Sequence, residues 1–392
     1  MSLEVAYAFL VMIAGALLVG LVSHARNSGT RVIIFVGAYT CLQFVIGTFL
    51  WLRSPGVDGL AYVKAADTLA ASSLASTIGV SSTVLADGKQ GYVYLLAVGF
   101  IALGSSPLVA VAINANLLGL LLLVVRATAE ELRAGAGLLA MFIASLFPAV
   151  TFWGPQPLRE ACVWLLIGTL GLSALKISRG SSSAVAGWLV FIVTAIALLY
   201  FRGPIAIIAA AALALGCVFS GRFSPTRATL FAVGAYGAYL LLQDRFASVL
   251  VKFGNDQIDV SRQELASSSS GFIAPDTSNP TDMLVAMVRV LMGPLPGERS
   301  SAGIAAFEAI LWSSAFVLAI VGARAAGSTA RPLYYAALVL ALSIAASSGN
   351  YGSMLRIRAM LIPLEAPLVA IGLMLLVRTV RRKSKLPVEV RV

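Results

Sequence analysis

Four arginines stand at the mouths of long apolar runs: Arg159 in WGPQPLRE, Arg202 in LLYFRGP, and Arg356 and Arg358 in NYGSMLRIRAMLIP. A guanidinium stays charged when partly desolvated, and its fork of N–H donors matches the oxygens of a phosphate. Several at one membrane level suit a polyprenyl phosphate or pyrophosphate, whose head group lies at the lipid–water boundary. They also suit a leaving group that gains negative charge as a glycosyl bond breaks. Arg289 and Arg299 flank VLMGPLPGE and are candidates for the same set. The competing reading is that these arginines snorkel to head groups, or bridge to Glu160, Glu298 and Glu365. Arg356 and Arg358 are two apart, so on a regular helix they face nearly opposite sides. Either the helix begins after them, or only one of them faces a cavity.

The acidic candidate is Asp58, in SPGVDGLAYVKAADTLA. A carboxylate in a glycine-flanked turn just after a span can accept the proton of an incoming sugar hydroxyl, or it can serve as a helix N-cap. Asp67 is further along, beyond an assured shared face. Glu160 adjoins Arg159 and reads as an ion-pair partner or an N-terminal helix charge rather than a base. Glu365 lies inside the last apolar run, where an ionisable group is a functional candidate by default or a bridge to an arginine. Asn350 and Tyr351 are candidates for hydrogen bonds to a sugar, and Asn114 and Asn116 for contacts between helices. One histidine, His24, and three cysteines inside apolar runs offer neither a zinc or haem site nor a disulfide framework. No metal ligands are assigned, and a divalent-metal requirement stays open. P-loop, GxGxxG, HExxH and GxSxG motifs are absent, which leaves ATP-driven transport and classical hydrolase chemistry without support.

These residues have to be positioned by helices in a membrane. The 392 residues are 59% hydrophobic and only 11% charged, against about a quarter charged in soluble proteins. Apolar runs recur throughout, so the expectation is an all-α, polytopic membrane protein forming one transmembrane domain. Spans are expected near 5–22, 32–51, 107–125, 135–152, 160–175, 184–200, 204–220, 228–243, 303–322, 332–348 and 359–378, about eleven in all. The first reads as a retained span rather than a cleaved signal peptide. Residues 91–104 are apolar but short, and end in the breaker Gly-Ser-Ser-Pro. With the basic 379–392 tail in the cytoplasm, alternation puts 24–31, 126–133, 176–180, 221–227 and 323–331 there too, each with at least two Lys or Arg. The amino terminus is then outside. A twelve-span alternative makes 91–104 a span and puts the amino terminus inside. The net charge of +11 reflects such loops rather than nucleic-acid binding. Two long extracytoplasmic loops remain, 52–106 and 244–302, and loops of that length tend to be functional or mobile.

The run from the acidic first loop through GYVYLLAVGFIALGSSPLVAVAINANLLGLLLLVVRATAEEL and LLAMFIASLFPAVTFWGPQPLREACVWLLIGTL resembles the amino-terminal module of GT-C-type membrane glycosyltransferases, such as the protein mannosyltransferase and aminoarabinose transferase relatives. The resemblance covers roughly 35–205, in hydrophobicity and punctuation more than in exact motif. It implies a catalytic acid in the first extracytoplasmic loop, here Asp58, and non-spanning juxtamembrane helices at 91–104. The family often pairs that acid as DxD or ExD, whereas Asp58 is followed by Gly59 and Leu60, and no large soluble carboxy-terminal domain follows. The back half, with LPGERS and GNYGSMLRIRAMLIP, is similar to Wzy-type oligosaccharide-repeat polymerases, which use outward arginines for undecaprenyl pyrophosphate. Together these imply a bacterial inner-membrane glycosyltransferase. It would move a sugar or oligosaccharide from a polyprenyl-linked donor to a glycan or lipid acceptor, with membrane lipids as its surroundings. The alternatives are an O-antigen or capsule polymerase and, third, a lipid-linked-sugar flippase.

Overall fold

The computed structural model describes residues 29–72, 89–180, 184–220, 279–293, 302–348 and 351–383, with Met12, Ile13, Gly15 and Thr229. In chain order the helices are α1 (Thr30–Arg53), α2 (Val57–Ala71), α3 (Gln90–Leu103), α4 (Pro107–Leu132), α5 (Gly137–Leu146), α6 (Pro148–Trp153), α7 (Glu160–Arg179) and α8 (Ala184–Phe219). They continue as α9 (Pro280–Met292), α10 (Ala302–Ala326), α11 (Arg331–Ser347), α12 (Tyr351–Arg358) and α13 (Ile362–Lys383). No strand occurs among the described residues. Six helical stretches are long and apolar enough to cross a membrane: Thr30–Arg53, Pro107–Leu132, Glu160–Arg179, Val185–Phe219, Phe307–Ser347 and Tyr351–Arg381. Apolar side chains such as Leu42, Val45 and Phe49 point outward from α1, while Thr40 and Gln43 are buried. Lipid tolerates that distribution and water does not. The chain is an α-helical, multi-pass membrane protein.

Two of the six stretches fold back on themselves. In α8, Arg202 leaves helical geometry (φ −161°, ψ 79°) just ahead of Pro204. A proline supplies no N–H to the preceding turn and crowds the residue before it. Gly187 on the first leg packs against Lys176 and Ile177 of α7, Arg202 reaches Glu160 at the start of α7, and Cys217 on the second leg donates to the Ala174 carbonyl at 3.2 Å. The chain therefore runs along α7, turns at Arg202 and returns. The stretch 307–347 turns at the 3₁₀ segment Gly327–Ala330, where Gly327 has φ 68°. Before the turn α10 runs parallel to α13: Glu308 meets Arg358, and further on Gly322 touches Leu368 and Gly372. A Cβ on Gly322 or Gly372 would strike the carbonyl of Leu368 or Leu318, so these glycines let the two backbones approach. After the turn, α11 starts against the end of α8, with Pro332 on Gly216 and Arg331 Nη1 donating to the Phe219 carbonyl at 3.0 Å.

The expected span at 135–152 is broken into two short helices of 10 and 6 residues, α5 and α6, which together carry the chain from the basic end to the arginine end. Pro148 forces Phe147 into extended geometry (ψ 119°) and ends α5 there. The apolar segment at 91–104 is helix α3, whose 14 residues rise about 21 Å, short of a hydrocarbon core of about 30 Å. Gly104, at φ 84°, ends it. Apart from Met12, Ile13, Gly15 and Thr229, the expected spans at 5–22 and 228–243 fall outside the described residues, as do 384–392 of the tail and most of 244–302. Chain direction separates two ends of the bundle. One carries the basic turns at 126–133, 176–180 and 323–331, tied in part by Arg179–Glu131 at 2.7 Å. The other carries Asp58, Arg159, Arg202 and Arg356.

Candidate functional site

The loop before α7 sets the site. Pro155 and Pro157 stiffen it, and buried Asn114 on α4 donates its side-chain amide to the carbonyls of Gln156 and, at 2.8 Å, Leu158. Its tether to α4 fixes the launch point of α7, with Arg159 as the residue before the helix and Glu160 as its first residue. Arg159 Nη1 donates to the Phe201 carbonyl at 2.9 Å, which holds the apex of α8 against α7 and brings Arg202 beside Glu160. The negative carboxylate at a helix start is favoured by the helix dipole.

Around that carboxylate the structure assembles charges from four elements. Glu160 Oε1 lies 3.6 Å from Arg202 Nη1 and 3.2 Å from Arg356 Nε. Arg356 then reaches outward, its Nη1 3.0 Å from Asp58 Oδ2. Glu160 is 1% exposed and forms the floor, whereas the Asp58 side chain is 51% exposed and forms the rim. Three guanidinium groups thus face two carboxylates, and Lys89, at the start of α3, adds its field at Asp58. Among the described residues, positive groups therefore outnumber negative ones at this rim. Partial burial pushes the Asp58 carboxyl upward, but the hydrogen bond and charge of Arg356, with Lys89 and Arg159, outweigh it and hold Asp58 below its usual 3.8. One turn along α2, burial raises the Tyr62 hydroxyl; the ring meets Tyr92 edge-on at 5.2 Å, which fixes α2 to α3.

Asp58 is not an N-cap. Gly56 holds that position in α2, and the Asp58 carboxylate turns to Arg356. Arg356 and Arg358 both lie on α12, so only one joins the cluster. Arg358 faces the interior at 0% exposure, with Nη2 3.1 Å from Glu308 Oε1, its guanidinium 4.5 Å over the Trp312 ring and Nη1 donating to the Gly293 carbonyl at 2.7 Å. Arg289 lies on α9, one turn before Gly293. Asp67 accepts from Ser105 at the other end of α2, away from the cluster. Tyr351 begins α12 and is buried; Glu365 is buried on α13 in the field of Arg358 and forms no ion pair among the described residues. Arg299 and Asn350 lie outside the described residues.

Sequence reading missed Lys89, Glu308 and Trp312. Glu308 carried a signal, an acid inside the apolar run AFEAILW. Lys89 carried none, because only the α2–α3 packing brings it near Asp58. Both asparagines touch another element: Asn114 by hydrogen bonds to the loop before α7, and Asn116, whose amide donates to Ala112 in its own helix, by packing against Gly15. Among the described residues no three His, Cys, Asp or Glu side chains converge as a metal ligand set. Asp58 and Glu160 share Arg356 between them, so a cation placed there would have to displace it.

Fold and site together define a multi-pass helical membrane protein with an arginine–carboxylate cluster at one end of its bundle. No family model, curated protein or solved structure matches the chain.

Proposed function

We propose that this protein is a membrane glycosyltransferase that moves a sugar or oligosaccharide from a polyprenyl phosphate or pyrophosphate carrier to a cell-envelope glycan or lipid. The observation that supports it is the convergence of Arg202 and Arg356, from two separate elements, on the buried Glu160 carboxylate, with Arg159 beside them on the Phe201 carbonyl and an open rim at Asp58. In this reading the chain has about eleven spans, lies in a bacterial inner membrane and turns its arginine end outward. The basic turns at the opposite end are the cytoplasmic ones.

The chemistry follows from the charges. The carrier phosphate takes Arg356 and Arg202 as bidentate partners, and Arg356 lets go of Asp58. Freed of that neighbour, Asp58 regains basicity and accepts the proton of the acceptor hydroxyl. The acceptor oxygen bonds to the anomeric carbon as the carbon–oxygen bond to phosphate breaks. The electron pair of that bond stays on the phosphate oxygen, where the arginines stabilise it. Glu160 touches no substrate in this scheme; it positions Arg202 and Arg356. A repeat-unit polymerase would use the same site with a lipid-linked acceptor.

Native mass spectrometry with undecaprenyl phosphate and pyrophosphate tests the phosphate site. Wild type retains the carrier and the Arg202→Ala/Arg356→Ala double variant does not. Transfer from a polyprenyl-linked sugar donor tests the base: Asp58→Asn folds and binds the carrier but transfers nothing. Full transfer by Asp58→Asn would remove Asp58 from the mechanism.

A further inference from the structure

At the end of the bundle opposite the arginine–carboxylate cluster, the turn between α10 and α11 encloses a cleft of about 300 Å³. Its walls include Arg324, Arg331, Tyr334 and Tyr335, with Gly327 and Ser328 in the turn, and among the described residues no acidic one lines it. Arg331 is anchored by its hydrogen bond to the Phe219 carbonyl. Arg324 forms no ion pair or hydrogen bond among the described residues and is exposed. An arginine on each side of a turn, facing one concavity without a neutralising carboxylate, is a site for an anion.

The helices leading away from the cleft say which kind. On α10, Val317 and Val321 continue the face of Arg324, and on α11 Val339 and Leu342 continue the face of Tyr335; all four are exposed. Residues three and four apart share a helix face, so two apolar stripes run from the basic cleft toward the middle of the bundle. Tyrosine at the cleft mouth fits the membrane–water interface, where one end of the ring is apolar and the other wet. We propose that this cleft binds the phosphodiester head group of an anionic phospholipid, with the acyl chains lying along the stripes on α10 and α11. The site is separate from the carrier-phosphate site and does not depend on the glycosyltransferase reading.

Native mass spectrometry of the full-length, detergent-purified protein with equal phosphatidylglycerol and phosphatidylcholine provides the test. Glycerol 1-phosphate is the water-soluble competitor. Wild type is expected to retain phosphatidylglycerol preferentially, and Arg324→Gln to lose about fivefold of that retention. Arg378→Gln, a basic residue on α13 at the same end of the bundle, should leave it unchanged. No preference in wild type, or equal loss in Arg378→Gln, would overturn the site. Displacement by an equimolar amount of glycerol 1-phosphate would overturn the lipid assignment in favour of a soluble phosphate. Should Arg324→Gln fold poorly, the preference of wild type and its response to the competitor still decide the question.

Discussion

Arg356 and Arg358 sit on the same short helix, two residues apart, and inhabit opposite electrostatic worlds. Arg356 opens to the rim, shared between Glu160 on the floor and half-exposed Asp58. Arg358 is sealed between Glu308, the Trp312 ring and the Gly293 carbonyl. A helix turns about 200° over two residues and so points such neighbours in nearly opposite directions, and α12 therefore sends one inward. Inside, desolvated charge needs a full set of partners, and removing one leaves the other unpaired. At the rim, charge is exchangeable, because water or a ligand oxygen can replace a lost carboxylate. The difference separates an arginine that holds the fold from one that can hold a ligand.

The inner pair should carry the largest effect on stability. Arg358→Gln leaves Glu308 buried and uncompensated, at a cost of about 3–5 kcal/mol, measurable as loss of the folded fraction in graded denaturant. Adding Glu308→Gln should recover part of that loss, since the stranded charge goes with it. At the rim, Arg356→Gln should destabilise less than Arg358→Gln, because Glu160 keeps Arg202 and Asp58 can turn to water, and it should weaken polyprenyl-phosphate binding. A charge-assisted hydrogen bond of roughly 1.5–3 kcal/mol corresponds to about 10- to 150-fold. Asn114→Ala falls between the two regions. It strips the donor from the carbonyls of Gln156 and Leu158, should destabilise by about 1–3 kcal/mol, and should reduce transfer because Arg159 and Glu160 lose their tether.

The smallest effect concerns pH. The folded-state value of Asp58 is depressed, so its contribution is present above the unfolded value near 3.8 and is lost as pH falls through the lower folded value. Wild type and Asp58→Asn should therefore differ in melting temperature by a constant amount from pH 5 to 8. That gap should close in acid, and a gap that widens in acid would mean Arg356 is not the partner.

Much of this was legible in the residues. Apolar runs and basic turns announced a helical membrane protein, and Gly-Ser-Ser-Pro marked the end of α3. The spacing of Arg356 and Arg358 allowed only one of them to face a cavity if both lay on a regular helix. Pro148 was visible too, but hydrophobicity over 135–152 masked the break it makes. The pairing of Arg358 with Glu308, and of Arg356 with Asp58 across most of the chain, could not be read locally. Both depend on α10, α12 and α13 meeting in three dimensions, and on α2 folding back to the loop before α7, where Gly59 approaches Trp51 and the Pro157 carbonyl. Arg202 was identified by its place at a span end, yet its role at the apex of a turn emerges only once both legs of α8 lie along α7.

The division of labour between the two arginines is best tested by measuring Arg356→Gln and Arg358→Gln side by side for polyprenyl-phosphate retention and for unfolding. Arg356→Gln should lose the carrier and shift the unfolding curve only slightly, while Arg358→Gln should shift it by the larger amount. Carrier retained by Arg356→Gln and lost by a fully folded Arg358→Gln would contradict the account, and would move the ligand from the rim to the interior.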